Sequence, residues 1–171
     1  HYFACVGVSG DWIYHKASAT LAGLATAQWH AILSPSPGET HNCDPAAIKG
    51  ADGNWYVHYS NTPDVTGAGV AVANNVNGPY LKITTNLLGQ YSSANLTKGQ
   101  YGRGQTTVTL GPDNNYYMAF TNQIEPIEPM SIVILKSPDP TFAKTRSEVT
   151  RISPSAIGGW STQLSYDPKT D

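Results

Sequence analysis

The sequence is short of charge. Only 13% of its 171 residues are Asp, Glu, Lys or Arg, about half the share usual in a soluble domain. The Lys and Arg residues are scattered and the net charge is −2, so no basic face is expected for nucleic acid or an anionic membrane. Long apolar runs are missing as well; none approaches the roughly 18–20 residues that span a bilayer. No signal-peptide pattern stands at the first residues. The histidines, His1, His15, His30, His41 and His58, show no His-x-x-x-His spacing, and the chain has no Cys-x-x-Cys, so neither a metal nor another cofactor is expected. Gly102-Arg103-Gly104 is too short for a nucleotide signature, and no Ser-His-Asp order stands out. Helical periodicity is almost absent. The one alanine-rich candidate, Ser18 to Trp29, is interrupted by Gly23 and lacks an apolar stripe.

What is there instead is the vocabulary of strands and turns: Gly, Pro, Ser, Thr, Asn and Tyr around short β-branched and aromatic runs. These runs repeat. Cys43 to Asn61 aligns with Gly104 to Asn122 at a constant offset of 61, bringing Asp52 onto Asp113, Asn54 onto Asn115, Tyr56 onto Tyr117 and Asn61 onto Asn122. Each copy reads as strand, Asp/Gly/Asn turn, strand. Val70-Ala71-Val72 then meets Ile132-Val133-Ile134, and Gly78-Pro79-Tyr80 meets Pro140-Thr141-Phe142, at an offset of 62. Units of about four strands in roughly 60 residues suit propeller blades. Partial units flank the two whole ones. Tyr2 to Gly7 resembles a second strand, Gln28 to Ile32 an outer end, and Ser161 to Pro168 matches Gln105 to Pro112 at an offset of 56. The expectation is therefore an all-β, partial propeller across 1–171. It divides into the end of one blade (1–40), a second (41–100), a third (101–159) and the start of a fourth (160–171). An independent β-sandwich with two similar halves is the alternative.

Asn42-Cys43-Asp44-Pro45-Ala46-Ala47-Ile48-Lys49, followed by Gly53-Asn54-Trp55-Tyr56-Val57-His58-Tyr59-Ser60, resembles the five-bladed β-propeller glycosidases, of which glycoside hydrolase family 43 is the best-known member. Tyr101 to Val108 with Asn115 to Asn122 resembles the next blade of the same pattern. The resemblance covers nearly the whole chain, at about three blades of five. It implies glycoside hydrolysis by inversion, with an Asp base, a second Asp tuning the acid, and a Glu acid. Asp44 matches an inner-strand Asp of that pattern, as base or as tuning residue. Its structural alternative is a carboxylate that caps the turn ahead of Pro45.

First strands line a propeller's axis and their starts converge at one mouth. Asp44, Gln105 and Ser161 would ring that mouth, with His41, Asn42, Tyr101, Arg103 and Trp160 just before them. Of these, His41, Arg103, Gln105 and Trp160 are the candidate substrate-binding residues, and carbohydrate is the expected partner. Other protein chains, or missing blades of a longer chain, are further candidate partners. Gln105 cannot transfer a proton at neutral pH. Glu125 and Glu128 are available acids, but they fall in a loop away from the family's place for the acid. A non-catalytic propeller, serving as a lectin or a component of an extracellular assembly, is thus the second functional expectation. Cys5 and Cys43 are a candidate disulfide, with two buried thiols as the alternative, and Asn95-Leu96-Thr97 is a candidate glycosylation sequon. Together with the low charge and many aromatics they point to an extracellular protein.

Overall fold

In a computed structural model the chain is described over residues 1–7, 10–62, 64–153 and 163–167. It is all-β and propeller-like. The first sheet contains β1 (Tyr2–Gly7), β2 (Asp11–Lys16) and β3 (His30–Leu33). The second contains β4 (Asn42–Lys49), β5 (Trp55–Asn61), β6 (Gly67–Ala73) and β7 (Leu81–Thr84), and the third β8 (Gly102–Leu110), β9 (Tyr116–Ile124), β10 (Glu128–Ser137) and β11 (Ser147–Ile152). Each is an antiparallel meander in which neighbouring strands are consecutive in sequence. The alanine-rich stretch makes only a short 3-10 turn at Ala22–Ala25, as a segment with no apolar stripe to bury would.

Alternation along the strands packs sheet on sheet. In β5, Val57 and Tyr59 face the first sheet and join Ile13, Ile32 and Leu33 in one core, while Tyr56 faces the other way. There Tyr56, Ala68 and Val70 meet Met118, Phe120, Val133, Leu135 and Phe142 of the third sheet's blade. Phe120 is 3% exposed, so truncation to Ala would cost about 3–5 kcal/mol through lost burial and the cavity left behind.

The sequence repeat has a structural counterpart at each turn. Asp52 accepts from Asn54 N (3.1 Å), Asn54 Nδ2 (2.8 Å) and Tyr56 Oη (2.7 Å). Asp113 accepts from Asn115 N (3.2 Å), Asn115 Nδ2 (3.0 Å) and Tyr117 Oη (3.0 Å). Gly53 and Asn114 supply the positive φ that both turns need, 84° and 59°. The third strands differ from the sequence alignment. Tyr59 pairs with Gly69 and Phe120 with Val133, so Val70 corresponds to Ile134 and not to Ile132. From Asn61 to its ladder partner Gly67 the chain takes 6 residue steps (67 − 61) and from Asn122 to its partner Ser131 it takes 9 (131 − 122), so the third strands shift by two residues against the sequence alignment, which keeps every side chain on its original face.

In the first sheet, Cys5 pairs with Ile13 as Ser60 pairs with Ala68, which aligns β1 with β5 and β2 with β6 at an offset of 55. Tyr2–Gly7 is accordingly a second-strand segment in its pairing. Beyond the third sheet, Leu164 N donates to Thr107 Oγ1 (3.3 Å), and Leu164, Ser165 and Tyr166 close a mainly apolar recess of about 300 Å³ against Thr109, Tyr117, Ile134 and Val149. Ser161 lies outside the described residues.

Candidate functional site

The starts of β4 and β8 are built alike. The ladder between β4 and β5 slips between Cys43 and Ala46, and that between β8 and β9 slips between Gly104 and Thr107. Each slip is a bulge with a non-glycine residue in left-handed conformation: Asp44 at φ 49° and Gln105 at φ 53°. An L-residue there costs on the order of 1–2 kcal/mol. A bulge that turns one side chain out of the ladder is a common way of aiming it at a site.

Asp44 is exposed. Tyr101 Oη stands 3.5 Å from Asp44 Oδ2, a long contact that leaves most of the carboxylate's lone pairs facing solvent. Burial, with a smaller push from the charge of Asp44, raises the Tyr101 phenol above its ordinary pKa, so it stays a protonated donor. Gln105 is anchored by its backbone N–H to Ser60 Oγ (2.8 Å) and accepts from Thr121 Oγ1 (3.0 Å) through Oε1. Its Nε2 has no protein partner among the described residues, which leaves an amide donor uncommitted at the start of β8.

The other predicted residues fall as follows. His41 lies between Thr62 Oγ1 (2.6 Å from Nε2) and Thr40 Oγ1 (3.5 Å from Nδ1), three residues before Asp44. The Arg103 guanidinium is turned into the blade. It donates to Asn122 Oδ1 (2.6 Å), Leu88 O (2.7 Å) and Glu128 Oε1 (2.9 Å), with its plane over the Tyr91 ring at 5.0 Å. Trp160 lies outside the described residues. Cys5 and Cys43 form a disulfide (Cα–Cα 5.1 Å), which ties the end of β1 to the residue before Asp44. Asn95 is exposed at the end of a 3-10 turn, Ser93–Asn95.

Of the two acids read from sequence, Glu128 is committed. Burial opposes its ionisation, but the hydrogen bond from Arg151 and the charges of Arg103 and Arg151 outweigh it and hold the carboxyl below its usual range. Glu125 is exposed and accepts from Gln100 Nε2 (3.2 Å). Two further carboxylates come into view in the hairpins after second strands. Asp11 Oδ2 lies 3.4 Å from Cys43 Sγ, next to Asp44. Asp64 accepts from Ser93 N (2.8 Å) and Ser93 Oγ (3.2 Å), and these bonds lower its pKa. Weighing loop acids only at Glu125 and Glu128 passes over Asp11 and Asp64. The available signal was an acid in or beside the connection between a second and a third strand.

No protein-family model and no curated protein matches the chain. Solved structures do match its fold. It is similar to a thermostable family-43 glycoside hydrolase (21% identity, TM-score 0.56, covering 83% of this chain and 48% of that one). It is similar also to an endo-1,4-beta-xylanase from Bacteroides thetaiotaomicron (16%, 0.59, 95% and 56%) and to fructan 1-exohydrolase IIa from Cichorium intybus (12%, 0.57, 87% and 28%). At these identities the likeness is one of fold, and the chain spans about half or less of those structures.

Proposed function

We propose that the chain is a carbohydrate-active segment of glycoside-hydrolase type, binding or cleaving a polysaccharide where β4 and β8 begin. The observation that carries this reading is Asp44: an exposed carboxylate in a strained left-handed conformation, at a bulge repeated one blade later by Gln105. Backbone strain at an exposed acid is characteristic of sites where aim matters more than stability. Asp44 would act as the base that activates water, Tyr101 would hold it, and Gln105 Nε2 and His41 would bind hydroxyls. Inversion needs a second carboxyl about 6.5–9.5 Å away to protonate the leaving oxygen. Asp11 is the candidate that the first-sheet hairpin brings to Asp44's neighbour Cys43. The disulfide and the exposed sequon support an extracellular location.

The test is turnover of aryl arabinofuranosides and xylosides, with both activated and poor leaving groups. Asp44→Asn is expected to lower kcat by a factor on the order of 1000 or more on every substrate. Asp11→Asn should spare only activated leaving groups, which need no proton. Equal turnover in wild type and Asp44→Asn would remove Asp44 from the mechanism.

A second reading is favoured by a specific observation. The sister bulge offers an amide, and two arginines hold Glu128 ionised, so this segment is poor in groups able to deliver a proton. A non-catalytic propeller that binds carbohydrate, or builds an extracellular assembly, fits that. Isothermal titration that shows oligosaccharide binding unchanged in Asp44→Asn, with no hydrolysis by wild type, would establish it over the first.

Further sheets are the partner we propose for the first sheet's outer face. Tyr2 stands at the register position of Val57, which is buried between sheets, yet Tyr2, Val6, Trp12 and Trp29 are exposed there. Apolar exposure on one face suits cover by a blade of the same chain or of another.

A further inference from the structure

The first sheet and the stretch 163–167 each hold part of a blade, and the parts are complementary. β1 is a second strand by its pairing, and within its sheet it has a neighbour only on the β2 side. β5 and β9, at the same place in their blades, are paired on the other side as well, with β4 and β8. The first sheet is thus a blade without its first strand. Residues 163–167 show the opposite. Leu164 N donates to Thr107 Oγ1 of β8, and burial alternates along the stretch: Leu164 and Tyr166 are half-buried, whereas Gln163, Ser165 and Asp167 are exposed. That is the pattern of a strand with one covered face, yet these residues belong to none of the sheets. They are a first strand without a second.

The blade equivalences fix a register between the two. At an offset of 56 Leu164 stands where Val108 stands in β8, and Val108 is opposed to Met118 across the ladder. One blade earlier Ala47 is opposed to Val57. Met118 and Val57 are both 0% exposed, each buried against the preceding sheet. Tyr2 holds the same position in β1, and it is 50% exposed. The recess beside Leu164 is lined by Tyr117 and Ile134, the counterparts of the Tyr56 and Val70 that receive Met118. Its volume of about 300 Å³ exceeds the roughly 150 Å³ in which an apolar cavity holds benzene, so a tyrosine ring has room there. The exposed ring and the open recess are the two halves of one seam.

We propose that a second copy of this chain supplies the missing strand. Residues 163–167 of one copy add to the free edge of β1 in the other, with Leu164 opposite Tyr2, and that Tyr2 enters the recess. The exchange is reciprocal, so a two-fold dimer contains two such seams. Main-chain hydrogen bonds along the added strand supply affinity, and the recess supplies register. A second copy is favoured over the same copy because the described residues form three sheets, fewer than the typically about four to eight with which a propeller closes. Two copies together fall within that range. The proposal rests on the reading that a further sheet covers the outer face of the first, and it names that sheet.

The test is the association state of the chain by sedimentation equilibrium, where the mass of two copies is expected. Tyr2→Glu should weaken association by about 100-fold or more while leaving the circular dichroism of the monomer unchanged. Tyr2→Cys combined with Leu164→Cys should cross-link copies under mild oxidant. Tyr2→Cys combined with Ser165→Cys, whose side chains point to opposite faces, should not. A monomer at millimolar concentration, or equal cross-linking by both pairs, would overturn the proposal. Hydroxyl-radical footprinting then separates it from the reading on which it rests. A monomer with Trp12 and Trp29 readily oxidised overturns the dimer and leaves that face to a blade of a longer chain. A monomer with both shielded overturns the two together.

Discussion

At Asp44, conformation and function pull in opposite directions. A left-handed aspartate with one long contact gains little from its side chain, whereas glycine adopts φ 49° freely. Asp44→Gly is expected to raise stability by about 1 kcal/mol while abolishing whatever the carboxylate does. Denaturant unfolding checks it, and a loss of stability would show that Asp44 caps the strand entry instead. The sequence repeat makes the equivalence of Asp44 and Gln105 legible, because the residues around both match. Their backbone conformation is not legible, since neither residue type calls for positive φ. The inward turn of Arg103 is hidden too, because its partners Asn122 and Glu128 come from another strand pair's ends and no local pattern joins them.

Between elements, the seam from second to third sheet contains a titrating group. His58 is fully buried, donates from Nε2 to Pro140 O at 2.8 Å and meets the Phe142 ring edge-on at 5.7 Å. Burial lowers its pKa to about 4, against 6.5 in an unfolded chain. The unfolded state therefore binds more protons between those values, and stability falls as the pH is lowered from about 6.5 towards 4, by roughly 3 kcal/mol across the window. His15 is lowered in the same direction, chiefly by burial. Unfolding midpoints at pH 7.5, 6 and 4.5 should decline in wild type and decline much less in His58→Gln. An equal decline in both would place the proton uptake elsewhere. Alternation in β5 foretells that His58 is packed. Its acceptor, a carbonyl 82 residues away, has no sequence signature. The same limit explains the misaligned third strands: Val70-Ala71-Val72 and Ile132-Val133-Ile134 are alike enough to match in either register, and only the ladder chooses.

For the molecule as a whole, the meander order was the most legible feature, because turn chemistry at Asp52 and Asp113 punctuates it at regular spacing. The covalent tie is the feature with most leverage. Cys5 and Cys43 close a loop spanning 38 residues, and chain entropy assigns such a link roughly 4 kcal/mol. Thermal unfolding with and without reductant should differ accordingly, and Cys5→Ala/Cys43→Ala should be insensitive to reductant. At the next seam the corresponding contact is only a hydrogen bond, from Gln105 N to Ser60 Oγ. Under mechanical tension the two seams are therefore unequal. A force applied through the two ends runs from β1 across the sulfur bridge directly into β4, so β2 and β3 lie outside the loaded path and the second-to-third seam yields first. Single-molecule extension in oxidising buffer should stop short, and reductant should then release on the order of 130 Å of stored length.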